Sequence, residues 1–152
     1  MSKLVLCVLC VLALPATASA GGKVSAFYYP WYGNAASDGS YTHWSQHGHT
    51  PPDNIAAGYY PARGVYSSSD RLVVAAQMDE IKAAKIDEIA VSWWGRESPE
   101  NARLDSLLAA ARARGISVAA HLEPYTGRTV ASTVDDIAYL RGLGVRTFYV
   151  YR

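Results

Sequence analysis

Glu123 is the one carboxylate of this chain whose place in the sequence suits chemistry. It ends a short alternating run just before Pro124 and shares the expected strand face with His121. A solvated loop position or a salt bridge to Arg128 are the alternatives. Glu97, Glu100, Asp135 and Asp136 fall near expected helix starts, where negative charge complements the helix dipole, and they are assigned no chemistry. His43, His47 and His49 raise the question of a metal. His47 and His49 are two apart in a glycine-containing loop with no third ligand placed by the spacing, whereas zinc takes three or four. No metal or cofactor is expected. No nucleophile elbow supports a Ser-His-Asp arrangement. The remaining signal is aromatic: four Trp and eleven Tyr, mostly in loops and at strand ends. Such rings wall pockets and stack on flat ligands, sugars among them. The stretch KVSAFYYPWYG, Lys23 to Gly33, carries Tyr29, Trp31 and Tyr32 to one such place. Plain packing explains Tyr29 nearly as well; it explains Trp31, beyond the proline, less well.

The elements that must position these residues alternate regularly. Val24, Ala26 and Tyr28 alternate with Ser25, Phe27 and Tyr29, and Pro30, which cannot donate to a ladder, ends that first strand. Asn34 to Ser69 is a long irregular segment rich in Gly and Pro, and its aromatics mark it as a packed loop that shapes a site. Asp70 reads as the cap of a helix over 71–85 with Val74, Met78 and Ile81 inward. DEIAVSWW, Asp87 to Trp94, is a second strand. Ser98-Pro99 opens a second helix to Arg114, striped by Leu104, Leu107, Leu108 and Ala111. A third strand (116–124), a third helix (about 132–143, with Val134, Ile137 and Leu140 inward) and a fourth strand (146–152) complete the chain. In each strand one face is aliphatic, while the other becomes functional towards its C-terminal end: Tyr29, Trp94, Glu123, Tyr151. Trp93 shares its face with Ile89 and Val91 and suits core packing better than Trp94 does.

This β-α-β-α-β-α-β order predicts an α/β fold with a parallel sheet. The functional strand ends and the lack of a Gly-rich phosphate loop favour a (β/α)8 barrel over a doubly wound nucleotide-binding sheet. A whole barrel takes about 250 residues, so four strands and three helices read as a barrel truncated after its first half. Residues 1–20, MSKLVLCVLCVLALPATASA, read as a secretory signal: one positive charge, an apolar stretch too short to span a bilayer, and Ala18-Ser19-Ala20 as cleavage site. The expected product is secreted or periplasmic and free of the membrane, and residues 21–152 form its domain. Cys7 and Cys10 both lie in the leader, so no disulfide or thiol chemistry follows. With Lys3 removed, acidic and basic residues balance, and no basic patch suggests nucleic acid.

FYYPWYG (27–33), YTHW (41–44), VSWWG (91–95) and HLEPYTGR (121–128) occur in an order and spacing that resemble the endo-α-1,2-mannosidases of glycoside hydrolase family 99. The resemblance implies a barrel that cleaves mannose-containing glycans internally with retention. One carboxylate would deprotonate the sugar's own 2-hydroxyl, giving a 1,2-anhydro sugar, while another protonates the leaving oxygen. By the same resemblance Glu123 would hold sugar hydroxyls, Trp94 would offer an apolar platform, and Tyr29, Trp31, His43, Trp44, Tyr125 and Arg128 would line the cleft. The catalytic pair of such enzymes lies in a Glu-Trp-His-Glu-like motif, and none occurs between Met1 and Arg152. Glycoside cleavage takes two poised carboxylates, so this chain alone is expected to be inert. The rival from another class is a non-catalytic secreted carbohydrate-binding or cell-surface protein.

Overall fold

The computed structural model describes residues 22–151; the expected leader lies outside them. In chain order the elements are β1 (Ser25–Tyr28), α1 (Ala35–Asp38), a 3-10 turn (Gln46–Gly48), α2 (Arg71–Ala83), β2 (Glu88–Trp93), α3 (Pro99–Arg112), β3 (Ser117–Leu122), α4 (Val130–Gly142) and β4 (Thr147–Val150). The four strands form one parallel sheet in the order β1-β2-β3-β4.

Register explains the layers. Ile89 pairs with Val118, Val91 with Ala120 and Trp93 with Leu122, so the aliphatic faces of adjacent strands coincide. Against that face packs one cluster of Val74, Met78, Ile89, Val91, Leu107 and Ala111. A second cluster joins Trp93, Leu104, Leu108, Leu122 and Leu140. Helices α2, α3 and α4 therefore lie on the same side of the sheet. A doubly wound sheet has helices on both sides; sequential strands with helices on one side are the arrangement of a (β/α)8 barrel, and the fold is of that type. The opposite face carries Ala90 beside Ala119 at mid-height, with Ser92 beside His121 one layer above.

Local signals set most boundaries. The Asp70 carboxylate accepts from Leu72 N at 2.8 Å, and Ser98 Oγ accepts from Asn101 N. Helix α4 begins two residues before the expected Ser132, because Thr129 is the cap: Thr129 Oγ1 accepts from Ser132 N while Ser132 Oγ accepts from Thr129 N. Its inward face also differs from expectation. Leu140 is buried and Ile137 half-buried, but Val134 is exposed and Asp136 takes an interior place, its charge met by Arg96. The long loop contains α1 and the 3-10 turn where no regular structure was expected. It is packed as expected: Trp44 and Ile55 are buried, and Tyr32 stacks on Trp44 at 3.9 Å.

Candidate functional site

Strand ends deliver the polar groups. Glu123 continues the β3 ladder, its N–H donating to Trp93 O at 2.9 Å, and is only 7% exposed. Ser92 Oγ donates to Glu123 Oε1 at 2.8 Å and accepts from Trp94 Nε1 at 3.0 Å. Trp94, Ser92 and Glu123 are thus one hydrogen-bonded chain across β2 and β3, and the serine sets the orientation of both neighbours. His121 Nδ1 lies 3.1 Å from the same carboxylate oxygen. The approach is off-line for a hydrogen bond, and this buried nitrogen has no partner.

Aromatic rings extend from that carboxylate along the sheet. Tyr151 meets His121 edge-on, His121 lies 5.4 Å from Phe27, and Phe27 stacks towards Tyr29. Tyr29 stacks on Trp31 at 4.6 Å, and Trp31 stacks on His43 at 4.5 Å with only 13° between planes. His43 holds this pose with a left-handed φ of 63°, which a non-glycine residue adopts at a cost. Its Nδ1 lies 2.9 Å from Gln46 Nε2; with Gln46 donating, the ring proton falls on Nε2. Burial pushes the His43 pKa down, while the nearby charge of Glu100 draws it partly back.

Between the first loop and the start of α3 the rings enclose an open cleft of about 370 Å³. Trp31, His43 and Trp94 line it together with Thr42, Glu100 and Arg103. Arg103 is the loop's anchor. Its guanidinium donates to Pro30 O and Ser69 Oγ and lies 3.6 Å from Asp38. Burial raises the Asp38 pKa, but hydrogen bonds from Ser67, Asn34 N and Ser69 and the charge of Arg103 more than offset it, leaving it below the usual carboxylate range.

Of the expected site residues, Tyr29, Trp31, His43, Trp94 and Glu123 lie along this rim, although only Trp31, His43 and Trp94 share the cleft. Three expected positions differ. Trp44 is 2% exposed, covered by Tyr32 and donating to Tyr66 O; it holds the loop together rather than meeting a ligand. Arg128 spends its donors on the carbonyls of Leu122, Glu123 and Tyr151, tying β3 to the end of β4 and making no salt bridge to the Glu123 carboxylate. Tyr125 turns its ring edge to Trp93 and its hydroxyl to Asp136 and Ser132. Burial and that carboxylate raise its pKa. Gly95, at φ 97°, lets this ring approach: a Cβ there would lie 3.3 Å from it.

Neither Ser92 nor Arg103 is singled out from the sequence, which places Glu100 only as a helix-start carboxylate with no chemistry assigned, whereas the structure puts it in the cleft. Ser92 was discoverable, since alternation puts it on the face of Trp94. The partners of Arg103 lie 34 to 73 residues away, and nothing local announces them. Among the described residues no group of three or more His, Cys, Asp or Glu is placed to hold a metal.

The sequence model of Glycosyl hydrolase family 99 matches residues 21–152. A glycoprotein endo-alpha-1,2-mannosidase-like protein of Danio rerio is 35% identical over 77% of this chain and 31% of its own length. The glycoprotein endo-alpha-1,2-mannosidase of Xenopus laevis is 34% identical over 75% and 30%. The structure of the family 99 endo-alpha-mannosidase of Bacteroides thetaiotaomicron in complex with Bis-Tris propane superposes with a TM-score of 0.72 at 32% identity, over 84% of this chain and 41% of that one. This chain thus spans about a third of the vertebrate relatives' length. By sequence match and superposition alike, it belongs to glycosyl hydrolase family 99.

Proposed function

We propose that this chain supplies the first part of the glycan-binding cleft of an endo-α-1,2-mannosidase-type glycoside hydrolase. The ligand is a mannose-containing oligosaccharide, and the leader directs the protein to a secreted or periplasmic location. The observation that carries the reading is the chain from Trp94 through Ser92 to Glu123, which holds a nearly buried carboxylate beside stacked rings at the C-terminal strand ends. In a (β/α)8 barrel those ends form the active-site face. A fixed carboxylate accepts from sugar hydroxyls, and indole faces cover the C–H face of a pyranose. The names of the relatives, both glycoprotein endo-alpha-1,2-mannosidases or like them, support the linkage.

Cleavage takes a second carboxylate opposite the first. No Glu-Trp-His-Glu-like motif stands between Met1 and Arg152, so residues 21–152 contribute binding and the reacting pair belongs to other parts of the enzyme. Titration of the 152-residue chain with α-1,2-linked mannooligosaccharides, with product analysis, tests this. Binding without turnover is expected; turnover by this chain, or no binding, overturns it. Genomic sequence beyond Arg152 separates the enzyme from a non-catalytic binding protein. Further βα units with a Glu-x-x-Glu motif favour the former, and a stop codon favours the latter.

A further inference from the structure

Glu100 is the one acidic side chain of the cleft and the least explained. It is only 6% exposed, yet among the described residues no donor is hydrogen-bonded to its carboxylate and no cation pairs with it. Arg103, one turn along α3 and in the same cleft, is committed to Pro30 O, Ser69 and Asp38 instead. The first turn of α3 offers the favourable end of the helix dipole. That accounts for a negative charge at this end of the helix, but an exposed position would serve it as well. Neither carboxylate oxygen is among the fully buried atoms without a partner, so an otherwise buried side chain keeps its charged end in contact with the water of the cleft, where a ligand's hydroxyls can replace that water. The same cleft is lined by Trp31, whose Nε1 is buried with no hydrogen-bond partner.

We propose that Glu100 is a sugar-hydroxyl acceptor in the cleft between Trp31 and Trp94, selecting a pyranose by one or two of its hydroxyls. The assignment rests on the glycan-binding reading above and adds to Glu123 a second carboxylate on a different element. A sugar ring fits the lining chemically: an apolar face for the indoles, hydroxyls that donate to the carboxylate, and no net charge to neutralise. A metal ion does not fit, since one carboxylate and His43 are too few ligands. Glu100 touches substrate in this scheme but does no bond chemistry; its part is specificity.

The test is calorimetric titration of the 152-residue chain, wild type and Glu100→Gln, with methyl α-1,2-mannobioside and its monodeoxy analogues. The isosteric Gln keeps the shape and removes the charge. Glu100→Gln is expected to weaken the parent disaccharide on the order of tenfold, the difference between a charged and a neutral acceptor. One monodeoxy analogue should bind wild type that weakly and be indifferent to the substitution, a pattern that a merely structural role does not produce. Equal weakening of every analogue, or no weakening, overturns the assignment while leaving the glycan reading standing. Failure of wild type to bind any mannoside overturns both. Should Glu100→Gln not fold, Glu100→Asp keeps the charge at the helix start and retracts it by one methylene; the same analogue pattern is required of it.

Discussion

Ser92 is small, fully buried and bonded to both Trp94 and Glu123. Ser92→Ala should cost about 1–3 kcal/mol, because it leaves a buried carboxylate and an indole N–H without their partner. Thermal denaturation reads the stability loss, and mannooligosaccharide titration should show weaker binding as Trp94 loses its orientation. His43 makes a second prediction. Its folded pKa lies below the usual 6.5, mainly through burial. The unfolded chain therefore binds more protons as pH falls below that value. The contribution of His43 is fully present above pH 6.5 and is lost as pH drops towards the folded pKa. Asp38, also depressed, adds a separate loss below its usual 3.8 as the carboxyl protonates and gives up Ser69 and Arg103. His43→Asn, whose short side chain tolerates the left-handed backbone, should remove the upper step and keep the lower one in melting curves taken across pH. At this scale the sequence revealed the rim aromatics but not the neighbours that orient them.

Elements follow local rules where their contacts are local. The leucine stripe of α3 and the caps Asp70 and Ser98 fall where periodicity and cap chemistry place them. The start of α4 was misplaced because Ser132, at the third helical position, bonds back to the true cap Thr129. The first loop is different. It is held by α3, through Arg103, across more than thirty residues. Arg103→Met should release it, stripping Pro30 O and Asp38 of their partner at a cost of about 2 kcal/mol or more. Limited proteolysis should then cut sooner between residues 45 and 65 while far-UV circular dichroism keeps the sheet and helices. Unchanged cleavage rates would show that Trp44 and its stacking on Tyr32 suffice.

At the scale of the molecule, β1 and β4 are paired on one side only among the described residues, and Phe27, Tyr29, Tyr149 and Tyr151 stay exposed on the face away from the helices. Unpaired strand edges beside apolar surface seek partners. The 152-residue chain is therefore expected to self-associate in sedimentation velocity at micromolar concentration. A monomer that melts in one cooperative transition would contradict this. Among the described residues no helix is long and apolar enough to cross a membrane. The barrel type was legible from the strand faces together with the lack of a Gly-rich phosphate loop, because a period of two sorts side chains by face whatever the neighbours are. Placing α2, α3 and α4 on one side turned that expectation into an architecture.

By itself the sequence determined the order of the four strands and the three long helices, the strand faces and the family, since each is written in local periodicity and in motifs a few residues long. Strand alternation already sorted Trp93 to the core and Trp94 to the other face, but tertiary structure alone decided which aromatics of the loops are walls and which are core. Trp44 and Trp94 look alike in sequence, yet Trp44 is sealed by Tyr32 and Tyr66 while Trp94 lines the cleft. It also decided that Arg128 binds carbonyls, that Tyr125 serves Asp136, and that Glu100, placed like any helix-start carboxylate, opens onto the cleft. The reason is physical. Burial and hydrogen-bond partnership depend on what the rest of the chain brings close, and one residue's type and spacing do not contain it.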